Sequence, residues 1–309
     1  MIIDNPVSPL PAKLRGLHLF HDGVATCAQR VRFVLAEKGL ARGPDVAWDS
    51  DAVENVAPPD ARSYVSRPVS IRKKQHLTAA YAAIQPNMVV PALVHDGVLH
   101  IESVDIIDYL ERTWPEPALV PRDAEGAAAC RELVARAKGL HRSIRFILFR
   151  WALPGSTGKL SPEERDALRE LEREDSPEQL AAFYESYSTD AFTDDVFVKH
   201  LRDLEAGFAE VDTLLSDGRA WLLGDDFSMA DVMWSLKMMR LWEIRYPFDS
   251  HYPALGAWYE RVTSRPGFRE AVWRDARAMS LFVRTWARAC HAFGGGVGKV
   301  ARPLLSTPQ

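Results

Sequence analysis

The chain has 309 residues, of which 47% are hydrophobic and 26% charged, and its formal net charge is −4 at pH 7. This length suits about two domains, and the composition is that of a globular protein. The slightly acidic balance argues against a nucleic-acid-binding protein. Three scattered cysteines form neither a disulfide framework nor a zinc motif, and no apolar run approaches the ~18 residues of a membrane span. We therefore expect a cytoplasmic protein that contacts neither nucleic acid nor membrane.

The first part of the chain alternates between strand and helix patterns. Residues Gly16–Gly23 read as a strand, and Cys27–Leu40 as a helix with apolar residues at helical spacing and a glycine near its end. Residues Gly43–Asp49 read as a second strand, which completes the beginning of a βαβ unit. Residues 50–74 contain two adjacent prolines and mixed charges, and they are predicted to form an inserted surface loop.

A hairpin and a helix follow this loop. Ala92–His95 and Val98–Ile101 are predicted strands, because an Asp-Gly pair between them is a strong turn signal. Residues Ser103–Trp114 are predicted to form a helix with Ser103 as its N-cap. Residues 15–114 are therefore predicted to form an α/β domain with a mixed four-stranded sheet.

The remainder of the chain is predicted to be helical. Long amphipathic repeats cover residues 122–290, and they are interrupted by a charged insertion at about 153–195. Ser228 and Asp231 have the spacing of a capping box at the start of a helix. Residues 291–309 are glycine-rich at their beginning and are predicted to form a mobile tail.

Pro91 stands where a central strand would lose a hydrogen bond. A proline can begin a strand after a turn, and it tolerates a cis bond that would turn the Val90 backbone outward to pair with an extended peptide. Glu102 and Ser103 enter a helix whose first N–H groups favour a carboxylate. The alternative is an ordinary strand start followed by an ordinary helix cap, and both interpretations remain open from these residues alone.

Two motifs resemble the glutathione transferase family. The segment "QPNMVVPALVHDGVLHIESVDIIDYL" is similar to the family's pattern around its Val-Pro and Glu-Ser pairs, although Gln85 stands where asparagine is usual. The segment "WLLGDDFSMADV" is similar to the signature of the family's second domain. The resemblance implies a thioredoxin-like first domain and an all-helical second domain.

The same resemblance implies a glutathione site. Val90, before the cis Pro91, would pair with the cysteinyl backbone of glutathione, and Glu102 and Ser103 would bind its γ-glutamyl end. His76 matches a theta-type histidine that reaches the glycyl carboxylate, and its alternative is a solvent-facing helix residue. Lys74 is a weaker candidate for that carboxylate.

The residue that activates the thiol is left open between two neighbours. A free thiol is mostly protonated at neutral pH, so such enzymes lower its pKa with a donor at the start of the first helix. The position of the theta- and zeta-type serine falls on Ala25, which leaves Thr26 and Cys27 as candidates. Cys27 is equally consistent with a small packing residue.

Substrate contacts are expected from the helical domain, in a cleft between the two domains. His141, Arg145 and Phe149 are the candidate substrate-binding residues. The insertion before residue 195 is weakly similar to extensions in bacterial β-aryl etherases.

The resemblance implies a homodimeric glutathione transferase that uses glutathione as co-substrate and no metal. It would attack a hydrophobic, aromatic electrophile by conjugation, ether cleavage or dehalogenation, in detoxification or the degradation of aromatic compounds. Two alternatives are a glutathione-dependent thiol transferase or lyase that works through Cys27, and a non-catalytic binding protein of the same fold.

Overall fold

The computed structural model describes residues 1–51, 62–152 and 158–305. Contacts divide the chain into two compact units. The first unit comprises Met1–Trp114 and Gly158–Ala191, and the second comprises Pro115–Thr157 and Phe192–Gln309.

The first unit is built on one mixed sheet with the strand order β1-β6-β5-β2-β4-β3. The strands are β1 (Ile2–Ile3), β2 (Leu17–His21), β3 (Ala41–Asp45), β4 (Ser63–Pro68), β5 (Ala92–His95) and β6 (Val98–Ile101). Strand β2 is buried along its whole length, because it pairs in parallel with β4 on one side and antiparallel with β5 on the other. The mixed sheet is confirmed, but it has six strands rather than the predicted four.

The prediction of an inserted loop over residues 50–74 is wrong for Ser63–Pro68, which form β4. Tyr64 and Val65 are buried in the sheet. Pro68 is the last residue of the strand, where the missing backbone N–H of proline costs no inter-strand hydrogen bond. The proline and charge signal that suggested a loop belongs to the preceding residues. Residues 52–61 of the predicted insertion lie outside the described part of the chain.

In chain order the helices are α1 (Leu10–Lys13), α2 (Thr26–Glu37), α3 (Ala79–Ala82), α4 (Ser103–Thr113), α5 (Ala124–Gly139), α6 (His141–Trp151), α7 (Pro162–Leu171), α8 (Leu180–Ser188), α9 (Asp194–Leu215), α10 (Met229–Glu243), α11 (Phe248–His251), α12 (Pro253–Ser264), α13 (Pro266–Phe268), α14 (Arg274–Ala292) and α15 (Val297–Leu305). A 3₁₀ turn occupies Gln75–Leu77, and a π-helical turn at Arg269–Trp273 leads into α14.

His18 in β2 is buried and forms hydrogen bonds with Arg15 and with Arg67 of β4. His18 Nε2 lies 2.8 Å from the carbonyl oxygen of Arg15, and its Nδ1 accepts a hydrogen bond of 3.2 Å from Arg67 Nε in β4. Burial lowers the pKa of His18 to about 4, and the nearby Arg67 guanidinium also lowers it. The imidazole is therefore neutral at pH 7, with its proton on Nε2 and its Nδ1 lone pair facing β4.

Helices α7 and α8 belong by their contacts to the first unit, although the sequence predicts them as an insertion in the second domain. Helix α7 begins with a capping box formed by Ser161 and Glu164, and the Glu164 carboxylate accepts two 2.7 Å bonds from Lys74 Nζ. The charged composition that suggested a loose insertion is thus used in ion pairs within this unit. Residues 153–157 of the predicted insertion lie outside the described part of the chain.

Helix α10 is buried on nearly all sides in the second unit, and the capping box predicted for Ser228 and Asp231 is present at its start. The prediction of a mobile tail after residue 291 is wrong for α15. Gly294 and Gly296 adopt positive φ angles of 76° and 84°, which let the chain turn after α14. Val297 and Ala301 are then fully buried, so apolar packing fixes the last helix. Residues 306–309 lie outside the described part of the chain.

Candidate functional site

Three segments singled out in the sequence border one hydrophobic cluster of the first unit. Val90 and Ile101 are buried members of this cluster, and Ala25 packs against it. Ala25 immediately precedes α2, and Ile101 is followed by Glu102 at the start of α4. The start of α2, the Val90–Pro91 linkage and the start of α4 are therefore held by the same apolar core.

The Val90–Pro91 peptide bond is cis. The hydroxyl group of Tyr81 donates a 3.0 Å hydrogen bond to the carbonyl oxygen of Val89, and burial raises the pKa of Tyr81 far enough that it remains a neutral donor. Within residues 62–152, no hydrogen bond from another backbone group involves the N–H or C=O of Val90. This arrangement offers one main-chain donor and one acceptor to an extended ligand.

Glu102 has a strained backbone at the start of α4. Its φ angle is 64°, a region that non-glycine residues seldom adopt, and it is the N-cap residue of the helix. Ser103, predicted as the N-cap, is instead the first helical residue. Asn87 Nδ2 donates a 2.8 Å hydrogen bond to Glu102 Oε1, which fixes the carboxylate. Strained backbone of this kind recurs at ligand-binding sites, where the surrounding structure holds it in place.

Ser103 lies against a buried cation. Arg30, in α2, donates a 3.0 Å hydrogen bond from Nη1 to Ser103 Oγ. The Arg30 side chain is almost fully buried, and Ser103 is 8% exposed. Because the guanidinium group occupies a lone pair of Oγ, the hydroxyl hydrogen of Ser103 is left to donate elsewhere. The first turn of α4 therefore combines helix N–H groups, a hydroxyl donor and a positive charge, all of which favour an anion.

Both candidates for thiol activation lie in the first turn of α2. The N-cap is Ala25, whose methyl group cannot accept a hydrogen bond from that turn. Thr26 is buried and Cys27 is half-buried. A helix start carries a partial positive charge that stabilises an anion such as a thiolate, and this helix is 12 residues long.

His76 lies in the 3₁₀ turn and is only 6% exposed, so the solvent-facing alternative is wrong. The turn lies in the chain between Ile71 and Tyr81, which both pack on the hydrophobic cluster that includes Val90. Lys74 precedes the turn and forms the ion pair with Glu164 described above. The weaker candidate for the glycyl carboxylate is thus already engaged by an acidic side chain.

The three predicted substrate residues lie along α6 at intervals of four. His141, Arg145 and Phe149 are all half-buried in the second unit. A cavity of about 820 Å³ lies within the same unit, but none of the three lines it. Its walls include aromatic and cationic side chains, namely Arg150, Trp151, Phe197, Trp286, Phe293 and Lys299. We call this space the aromatic cavity.

The aromatic cavity has a defined charge arrangement. Arg150 forms a 3.2 Å ion pair with Asp194, and its guanidinium group lies 5.5 Å from the centre of the Phe197 ring. Lys299, from α15, adds a second cation to the wall. The sequence does not predict this cavity, because one wall comes from α15, which lies in the segment predicted to be a mobile tail. The recurrence of apolar residues at a spacing of three to four after Gly296, at Val297, Val300 and Ala301, is the sequence signal that indicates this helix.

The described residues contain neither a cluster of metal ligands nor a membrane-spanning helix. No group of three or more potential metal-ligating side chains occurs in residues 1–51, 62–152 and 158–305. In the same ranges, no helix combines the length and apolar character needed to cross a membrane.

Two family models match the chain. The model described as glutathione S-transferase, N-terminal domain, matches residues 19–118. The model described as glutathione S-transferase, C-terminal domain, matches residues 164–261. The two matches lie in the order expected for that family.

Individual proteins agree with the family models. Glutathione S-transferase TCHQD from Arabidopsis thaliana is 26% identical over 282 residues, which cover 87% of this chain and 96% of that protein. Glutathione S-transferase theta-1 from Mus musculus is 28% identical over 209 residues, covering 66% and 74% respectively.

Solved structures agree in fold. The β-etherase LigF from Sphingobium sp. strain SYK-6 has a TM-score of 0.63 at 22% identity, covering 82% of this chain and 98% of that chain. A bacterial maleyl pyruvate isomerase described as a zeta-class glutathione S-transferase has a TM-score of 0.57 at 21% identity, covering 82% and 96%. These structures support a thioredoxin-like domain with a mixed sheet followed by a helical domain.

Proposed function

The chain belongs to the glutathione S-transferase family, and from this premise we propose that it activates glutathione as a thiolate for attack on an aromatic electrophile. The observation that carries the proposal is the construction around Val90 and Ser103. A main-chain donor and acceptor at Val90, a strained Glu102 and an anion-favouring helix start all adjoin one hydrophobic cluster. These are the groups needed to hold a short peptide along its backbone and by its carboxylate.

Each part of glutathione has a proposed partner. Val90 N–H and C=O pair with the cysteinyl main chain, in the manner of an added strand. Ser103 Oγ–H and the first N–H groups of α4 bind the γ-glutamyl carboxylate, and Glu102 accepts from the γ-glutamyl ammonium group. His76 is the proposed partner of the glycyl carboxylate.

The chemical step is a nucleophilic substitution. The start of α2, with Thr26 or Cys27 as side-chain donor, stabilises the thiolate after the thiol proton has left to solvent. The sulfur lone pair then forms a bond to an electron-poor carbon, and the leaving group departs with its bonding electrons. Conjugation, dehalogenation and ether cleavage differ only in that leaving group.

Glutathione binding tests the proposal directly. We expect calorimetry to show binding to the wild type, and Ser103→Ala to weaken it about tenfold or more, since a hydrogen bond to a charged group contributes about 1.5–3 kcal/mol. Ser143→Ala removes another buried serine, in the second unit and hydrogen-bonded to His200 at 2.9 Å, and it should leave binding unchanged. An absence of heat with the wild type at millimolar glutathione would remove the proposal.

The aromatic cavity is the proposed place for part of the electrophile. Its volume lies within the usual range for ligand sites, about 300–1,000 Å³, and its aromatic walls suit a planar ring. Two cations against one carboxylate on its wall favour substrates that carry a negative or strongly polar substituent.

Trp286→Ala should lower the activity toward a large aromatic electrophile much more than the activity toward a small one. We expect kcat/KM for 1-chloro-2,4-dinitrobenzene to fall about tenfold, because an aromatic contact of about 1–1.5 kcal/mol is lost, while kcat/KM for iodomethane should change less than twofold. Trp114→Ala, in the first unit, is the matched control and should affect both substrates equally. An equal loss for both substrates in Trp286→Ala would exclude the aromatic cavity as the electrophile site.

Homodimerisation and a cytoplasmic location stay predictions. Sedimentation velocity checks the first of them, and a sedimenting species of monomer mass at micromolar protein would contradict it.

A further inference from the structure

Arg30 is a buried cation without a complete set of partners. Its side chain is only 2% exposed, and its single hydrogen bond in the described residues runs from Nη1 to Ser103 Oγ. Its Nε and Nη2 atoms are shielded from solvent and have no hydrogen-bond partner among those residues. An arginine at such a depth normally finds an acidic or carbonyl partner, because leaving a charge uncompensated costs several kcal/mol.

Two neighbouring buried cations, Arg32 and Lys38, have hydrogen-bond or ion-pair partners within the first unit. Arg32, two positions further along α2, donates to His21 Nδ1, to the carbonyl oxygen of Asp22 and to that of Gly23. Lys38, just after α2, forms a buried ion pair of 2.5 Å with Glu111 of α4. The fold therefore supplies acceptors or a carboxylate to both of these cations, whereas Nε and Nη2 of Arg30, beside Ser103, have no acceptor among the described residues.

We propose that Arg30 is a positioning residue whose missing counter-charge is the α-carboxylate of the γ-glutamyl group, an inference that rests on the proposed function. Arg30 does two things in this role. It holds Ser103 Oγ as an acceptor, so that the hydroxyl hydrogen points to the ligand. It also places an unscreened positive charge behind that hydroxyl, where the low local dielectric strengthens its attraction for a carboxylate.

This role makes Arg30 a determinant of which thiol is accepted. A thiol peptide that lacks the α-carboxylate gains nothing from the cation, whereas glutathione neutralises it on binding. The protein should therefore prefer glutathione over 4-aminobutyryl-cysteinylglycine, which keeps the rest of the peptide but has no carboxylate at that carbon. The preference should disappear with the guanidinium group.

The first measurement is calorimetry with both peptides. We expect Arg30→Met to weaken glutathione binding at least tenfold and to change binding of the decarboxylated analogue less than twofold. Arg30→Lys retains the charge and should keep part of the preference. Equal weakening of both peptides, or an unchanged preference in Arg30→Met, would overturn the inference. A wild type that binds neither peptide would remove the proposed function, and the inference with it.

The second measurement is the melting temperature of the unliganded protein, which separates positioning from a structural role. Because Arg30→Met removes an uncompensated buried charge, we expect the melting temperature to stay equal or to rise. Arg32→Met is the matched control on the same helix, and it should lower the melting temperature, since three acceptors lose their donor. If Arg30→Met lowered the melting temperature as much as Arg32→Met, Arg30 would be a structural residue and the inference would be wrong.

Discussion

Asp231→Ala is expected to lower the free energy of unfolding by about 3–5 kcal/mol, the largest stability effect we predict for a single residue. The carboxylate is fully buried and accepts from four donors. These donors are Leu222 N at 3.0 Å, Ser228 N at 2.8 Å, Ser228 Oγ at 2.7 Å and Trp258 Nε1 at 2.7 Å. Alanine would leave all four donors buried without an acceptor, and each such loss costs about 1–3 kcal/mol before relaxation.

Urea denaturation followed by tryptophan fluorescence measures this loss. Asp226→Ala is the matched control, because Asp226 precedes the same helix but is exposed, and it should change the free energy of unfolding by less than about 0.5 kcal/mol. Asp231→Asn keeps the shape of the side chain but replaces one acceptor oxygen with an amide donor, so an intermediate loss is expected. A loss below about 1 kcal/mol for Asp231→Ala would show that these hydrogen bonds do not hold α10 in place.

The second large effect is catalytic. Thr26→Val replaces a hydroxyl group in the first turn of α2 with a methyl group. The two side chains have nearly the same volume, so the change removes the hydrogen-bond donor and little else. If the Thr26 hydroxyl group donates a hydrogen bond to the glutathione sulfur, its loss raises the pKa of the bound thiol, because that hydrogen bond stabilises the thiolate. We expect kcat/KM to fall about a hundredfold at pH 7, comparable to the loss of one donor to a catalytic anion. The difference in kcat/KM between Thr26→Val and the wild type should become smaller at higher pH, where the thiol is ionised even without the Thr26 hydrogen bond.

The pH dependence of kcat/KM and the ultraviolet absorbance of the bound thiolate both report this pKa. Cys27→Ala is the matched control in the same turn, and it should change the rate less than threefold. The reverse result, a large loss in Cys27→Ala and a small one in Thr26→Val, would transfer the role to Cys27. Loss of disulfide-reductase activity in Cys27→Ser would then indicate a thiol transferase. A wild type that binds glutathione without forming thiolate would favour a non-catalytic binding protein.

The parts of the fold that were predicted correctly are encoded over short stretches of sequence. The Asp96-Gly97 turn specifies the β5–β6 hairpin, and the Ser228–Asp231 spacing specifies the start of α10. Strand β4 was missed because its burial depends on pairing with β2, about 45 residues earlier in the chain, where His18 aligns with Val65. Hydrophobic patterns that repeat every two to four residues indicate strands or helices, but they do not indicate which distant strand pairs with them.

The candidate site divides in the same way. Val90, Pro91, Glu102 and Ser103 were recognisable because their residue types form a compact motif. Arg30 was not recognisable, because a charged residue within a helical pattern normally indicates a solvent-exposed face. Its burial follows from the packing of α2 against α4, which brings it to a serine 73 positions away. The aromatic cavity was missed for a similar reason, since its walls come from helices that are distant in sequence.

Glu102 has a consequence for how this protein would evolve under artificial selection. A glycine would adopt a φ angle of 64° without the local penalty of about 1–3 kcal/mol that a side chain incurs there. Under the proposed role of Glu102, thermal stability favours glycine at this position and ligand recognition favours glutamate. A library screened only for survival at high temperature should accumulate glycine at position 102. If Glu102 binds the γ-glutamyl ammonium group as proposed, those stabilised variants should bind glutathione more weakly than the wild type.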